Sequence, residues 1–133
     1  MSIEKIEGIG AANAAKLAKA GIRGVGGLLT KGKTPKGREE ISRASGISAS
    51  VILKWVNMAD LFRIKGVGTQ YSELLEAAGV DTVKELAQRN ADNLHKAMVD
   101  TNNKKKLVRQ APSLDGVKDW VAQAKKLPRA VEY

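Results

Sequence analysis

The sequence predicts an all-α protein of two tandem helical units, and three observations carry that prediction. A stretch near the start recurs in the second half, candidate helix caps and stop glycines recur at helix-length intervals, and no segment sustains the apolar–polar alternation of a strand. The recurrence is plain when Ile6 is aligned with Ile64. Ile6 to Ile22 reads I-E-G-I-G-A-A-N-A-A-K-L-A-K-A-G-I, and Ile64 to Val80 reads I-K-G-V-G-T-Q-Y-S-E-L-L-E-A-A-G-V. Gly8, Gly10, Leu17, Ala20 and Gly21 then fall on Gly66, Gly68, Leu75, Ala78 and Gly79, with Val25 on Val83 and Leu28 on Leu86. Further along, W-V-N-M-A-D-L from Trp55 parallels W-V-A-Q-A-K-K-L from Trp120. The units are therefore drawn as 1–60 and 61–133, either separate or joined in one compact body.

Each element follows from local chemistry. Ala11 to Ala20 is rich in strong helix formers and stops at Gly21. Thr34 and Pro35 read as an N-cap with proline at the first helical position, opening a helix that ends near Gly46. Ser48 caps the next helix, with Val51, Ile52, Trp55 and Val56 expected on one apolar face. In the second unit Thr82-Val83-Lys84-Glu85 fits a capping box. Asn90 caps a helix through Met98, Lys104 to Gln110 forms a short one, and Ser113 caps the last, bearing Val117, Trp120 and Val121. Trp55 and Trp120 are expected in equivalent places in the core.

Composition bounds the rest. A chain of 133 residues with 43% hydrophobic residues buries an ordinary core without staples. No cysteine is present, so disulfides, thiolate metal sites and cysteine nucleophiles are excluded. The start, Met1-Ser2-Ile3-Glu4-Lys5, has no apolar stretch long enough for a signal peptide, so none is expected, and no apolar run is long enough to span a bilayer. A cytoplasmic location and no membrane partner are the expectation. Lys and Arg number 23 against 14 Asp and Glu, a formal charge of +9, which favours polyanionic partners.

The repeated turn has chemistry of its own. A short helix is expected to end at Ile6 or Ile64, the chain to turn through glycine, and a second helix to start after Gly10 or Gly68. Glycine reaches positive φ and lets a ligand approach the backbone closely. The second helix opens with unpaired amides and the positive end of its dipole, which together suit a phosphate oxygen. Ile9 and Val67 are expected to point back and anchor the turn.

These residues resemble the helix-hairpin-helix family. Ile3, Ile6, Gly8, Ile9, Gly10, Ala14 and Leu17 fill its pattern once, and Leu61, Ile64, Gly66, Val67, Gly68, Ser72 and Leu75 fill it again, with Ser72 a mild departure from alanine. The resemblance implies a helical bundle of the SAM-like class and non-catalytic, sequence-independent contact between hairpin amides and DNA phosphates. Carried over by position, the contacts are Gly8, Ile9, Gly10 and Ala11 with Asn13 and Lys16, and Lys65, Gly66, Val67, Gly68, Thr69 and Gln70. A-G-V-D-T-V-K-E-L-A at Ala78 to Ala87 looks like a stretch of the DNA-binding domains of RNA polymerase alpha subunits and of recombinase N-terminal domains. Over nearly its whole length the chain resembles the bacterial family called domain of unknown function 4332, which implies a fold and no activity.

The hairpins differ in their flanks. Glu4 and Glu7 beside the first repel phosphate; Arg63 and Lys65 beside the second attract it, although Glu73 and Glu76 follow. Lys104, Lys105, Lys106 and Arg109 form the densest basic run, and Lys31, Lys33, Lys36 and Arg38 surround a stretch expected to be a glycine-rich loop. Ile41 to Trp55 also fits a helix-turn-helix, with Gly46 in the turn and Ser48, Ser50 and Lys54 facing a groove, against an apolar-site mismatch at Ser45. His95 is the sole histidine, and the G-x-x-x-x-G-K-[ST] loop is missing, so no enzyme, cofactor or metal is expected. The alternative to DNA is a helical protein-interaction module whose hairpins only pack; RNA is a lesser third partner.

Overall fold

The structure is a computed structural model and describes residues 2–133. Eight α-helices form among them: α1 (Gly10–Lys19), α2 (Val25–Gly32), α3 (Pro35–Ser45), α4 (Ala49–Leu61), α5 (Thr69–Ala77), α6 (Val83–Ala87), α7 (Ala91–Lys105) and α8 (Leu114–Lys126). A single 3-10 turn, Ile3–Lys5, precedes α1, and no strand forms among the described residues; a lone antiparallel bridge joins Ser2 to Gly24. The chain divides into two compact units, Met1–Asp60 with Ala130–Tyr133, and Leu61–Arg129.

The expected caps form. Thr34, Thr82, Asn90 and Ser113 accept from the amides of Gly37, Glu85, Asn93 and Gly116 at 3.0, 3.2, 3.0 and 3.0 Å, each answering one orphan donor of a first turn. At the other ends, α1 and α5 close alike. Gly21 and Gly79 take φ of +80° and +98°, and Ile22 N and Val80 N reach back to Leu17 O and Leu75 O at 3.0 and 2.8 Å. Lys31 Nζ donates to Ala20 O and Gly21 O, and Arg89 Nη1 to Gly79 O, all at 3.4 Å. Lys31 and Arg89 hold the same place in the repeat, each setting a cation on the carbonyl end of a helix.

In the first unit Ile6, Ile9, Leu17, Ile22, Leu28, Ile41, Ile52, Trp55 and Val56 are buried. In the second, Leu61, Ile64, Val67, Leu74, Leu75, Leu86, Leu94, Met98, Val117, Trp120 and Val121 belong to one apolar cluster. Both tryptophans are core residues, as the stripes predict.

Four expectations fail locally. The glycine-rich stretch is helix α2. Gly26 and Gly27 are poor helix formers, but Val25 and Leu28, one turn apart, are buried, and that burial outweighs propensity. Gly32 is required by packing, because a Cβ there would stand 2.5 Å from Val56 Cγ2. Second, α7 runs past Met98 to Lys105, and residues 106–110 are not helical. Lys106 turns left-handed at φ +53°, and Asn102 holds the returning chain by donating to Val108 O at 3.1 Å and accepting from Val108 N at 3.0 Å. Third, Val51 is 38% exposed, off the stripe that buries Ile52, Trp55 and Val56. Fourth, Ala130–Tyr133 groups with the first unit. Glu132 N donates to Lys33 O at 2.7 Å, Arg38 Nη2 to Glu132 O at 2.7 Å, and Tyr133 Oη to Asn57 Oδ1 at 3.0 Å.

Candidate nucleic-acid interface

The two turns share a framework. Gly8 and Gly66 adopt φ of +91° and +95°, the left-handed region where a side chain is strained. Ile9 N donates to Ile6 O at 3.3 Å and Val67 N to Ile64 O at 3.1 Å, while both side chains anchor the turn in the interior. Gly8, Gly10, Gly66 and Gly68 are exposed residues, and their amides donate to no acceptor among the described residues. Beneath each turn glycine lies a tryptophan: Trp55 Nε1 is 3.8 Å from where a Gly8 Cβ would stand, and Trp120 Nε1 is 3.0 Å from where a Gly66 Cβ would stand.

From there the turns part. Gly10 is the first residue of α1 at φ +63°, preceded by a helical Ile9. Gly68 is an extended N-cap (φ −109°, ψ −161°) to α5. In the second unit the turn is clamped: Gln123 Oε1 accepts from Lys65 N at 2.9 Å, and Gln123 Nε2 donates to Lys65 O at 3.1 Å and to Asp119 Oδ2 at 2.8 Å. Arg63 Nη2 donates to Pro128 O at 2.8 Å. In the alignment of the tryptophan helices, Met58 stands where Gln123 does, and it is buried. The Lys65 amide is thus occupied while its side chain is exposed.

Three of the predicted residues of the second unit, Gln70, Lys106 and Arg109, come together, and the others lie outside the groove they line. Gln70, one residue into α5, shares an open groove of about 490 Å³ with Asn102, Asn103, Lys106, Leu107, Val108 and Arg109. Tyr71 Oη donates to Gln110 O at 3.3 Å, tying α5 to the loop that carries Arg109. Lys104 and Lys105 are exposed in the last turn of α7, outside the groove's lining. Thr69 is half-buried at the start of α5. In the first unit Ala11 and Lys16 are exposed and Asn13 half-buried on α1.

The other basic cluster does not hold together as a surface. Arg38 is buried at 6% exposure and donates to Gly32 O at 2.8 Å and to Glu132 O. Burial pushes its guanidinium below the usual arginine range, with Tyr133 and Glu132 acting in the opposite sense. Lys31 is engaged with α1; Lys33 and Lys36 remain exposed. The helix-turn-helix residues fall as a packed pair of helices requires. Ile41, Ile47, Ile52 and Trp55 are buried, Gly46 turns at φ +78°, and Ser48, Ser50 and Lys54 are exposed. The Ser45 mismatch is absorbed: its buried hydroxyl donates to Ile41 O at 2.7 Å and accepts from Ile47 N at 3.2 Å. His95 is half-buried on α7.

Three features escaped sequence reasoning. The Gln123 clamp and the Asn102 staple are long-range or loop contacts with no motif. The tryptophans' place under the turn was hinted at only by their recurrence, which says that they are equivalent and not what they touch. Among the described residues no helix is long and apolar enough to cross a membrane, and no three His, Cys, Asp or Glu side chains gather as metal ligands would.

No curated protein and no solved structure matches the chain. Residues 7–127 match the family model described as a domain of unknown function (DUF4332), and the chain belongs to that family.

Proposed function

We propose that this protein binds DNA through its phosphate backbone, largely without regard to sequence and without catalysing a reaction, and that the second turn is its principal contact. In this reading both turns act as helix-hairpin-helix elements. The observation that carries it is the shared groove of the second unit. Gln70, close in sequence to the open amides of Gly66 and Gly68, lines the same depression as Lys106 and Arg109, residues far away along the chain. Unpaired amides a few residues along the chain from a groove that holds two cations suit an extended polyanion. The surface also disfavours an apolar protein partner, because Val51 and Tyr133 are the only large hydrophobics left exposed among the described residues.

The test is fluorescence anisotropy of labelled duplexes of unrelated sequence across a salt series. Affinity is expected to fall linearly on a log–log plot, and Lys106→Gln with Arg109→Gln to flatten the slope by about 0.9 for each phosphate that is no longer neutralised. No binding to any duplex at low salt overturns the proposal and leaves the protein-interaction reading. A strong preference for one sequence replaces backbone contact with base reading from the helix that carries Ser50 and Lys54.

A further inference from the structure

We infer that the indole N–H of Trp120 is itself a ligand donor, joining the amides of Gly66 and Gly68 in a site for one phosphate-type oxyanion. The inference rests on the reading that the second turn meets phosphate, and it names a side chain for that site which no motif assigns. Trp120 is 95% buried (5% exposed), its ring held against Tyr71 with centroids 5.2 Å apart at 55°. The ring meets the turn nitrogen-first. From the point where a Gly66 Cβ would stand, Nε1 lies at 3.0 Å, Cε2 at 3.9 Å and Cδ1 at 4.0 Å.

An indole N–H only donates, and when buried it normally finds an acceptor. Trp120 Nε1 has none among the described residues. Yet every side-chain nitrogen or oxygen sealed from solvent there has a partner, so this N–H is not sealed. It opens at the turn, where the missing Cβ of Gly66 leaves it uncovered. Gly66 thus has two duties: its φ of +95° makes the turn, and its bare Cα keeps a buried donor reachable. A donor-only N–H beside two unpaired amides at the start of a nine-residue helix selects an anion with several acceptor oxygens. Trp55 stands in the corresponding place below Gly8, but farther off at 3.8 Å and with exposed Glu4 and Glu7 close in sequence, so the second site is the stronger.

The experiment follows the two indole N–H resonances of the full ¹⁵N-labelled chain, assigned with Trp55→Phe, as inorganic phosphate is added against sodium chloride at matched ionic strength. The Trp120 resonance is expected to move saturably with phosphate and not with chloride. In parallel, Trp120→Phe, which keeps a ring and removes the N–H, is expected to bind duplex DNA about tenfold more weakly with an unchanged helical spectrum. If wild type binds DNA, Trp120→Phe binds equally well and the indole stays still, the inference fails and the DNA reading stands. If no DNA binds but the indole responds to phosphate, the oxyanion site stands and the DNA reading falls. If neither occurs, both fall. Should Trp120→Phe not fold, the wild-type resonance decides.

Discussion

The first and second turns are the same device in different surroundings. Each has a left-handed glycine, an apolar residue locked to an isoleucine carbonyl and a tryptophan nitrogen underneath. Around the first lie Glu4 and Glu7, and the helix that follows opens directly at Gly10. At the second lie Lys65, an extended Gly68 cap and the Gln123 clamp, and Gln70, two residues past Gly68, lines a groove with Lys106 and Arg109. The repeat thus preserved the packing of the turn, while the charges and hydrogen-bond partners around it come from residues outside the repeated pattern.

Adding a methyl group to each turn should separate the two most strongly. Gly66→Ala strains a positive φ and presses on Trp120 Nε1, so it is expected to lose about 2 kcal/mol. Gly8→Ala meets only ordinary contact and should lose about 1 kcal/mol. Gly68→Ala, at a negative φ with open space, should stay within about 0.5 kcal/mol of wild type. Denaturant midpoints measure all three, and equal losses at Gly8 and Gly66 would erase the distinction between the turns.

A smaller effect has opposite signs in two assays. Lys106 occupies a left-handed position that costs a side chain roughly 1 kcal/mol, so Lys106→Gly is expected to stabilise the fold by about 0.5–1 kcal/mol. The same change removes a groove cation and should weaken DNA binding. Stabilisation with undiminished binding would take Lys106 out of the interface.

Next comes removal of the acidic flank of the first turn. Glu4→Gln with Glu7→Gln is expected to raise DNA affinity about threefold at low salt and not at all near 1 M, where the Debye length is about 3 Å. A gain that survives high salt would point to a contact other than charge. Smallest is the repeated helix-end cation: Lys31→Gln and Arg89→Gln should each cost about 0.3–0.5 kcal/mol, read by thermal melts. A large loss in one unit alone would show that its cation does more than cap.

Local chemistry made much of the fold legible. Thr34, Thr82, Asn90 and Ser113 are read from side chains that satisfy first-turn amides three residues on, and Gly21, Gly46 and Gly79 from the left-handed ends they supply. Such signals live within one turn of helix, so no tertiary knowledge is needed. The stretch Val25–Gly32 was illegible because its glycines argue against a helix and only burial of Val25 and Leu28 argues for one. Lys106 was illegible because its left-handed end depends on Asn102 gripping Val108.

The candidate site divides in the same way. The amino-acid pattern was enough for the left-handed glycines Gly8 and Gly66 and for the excess of positive charge, but it did not tell Gly10, left-handed at the head of α1, from the extended cap Gly68. Which of those charges stay together at the surface was a matter of three-dimensional packing. It buried Arg38 against two carbonyls, turned Lys31 onto the end of α1 and brought Gln70 beside Lys106 and Arg109. Charge is counted along the chain, but a phosphate responds to charge in space, and packing of the apolar core fixes which side chains share that space.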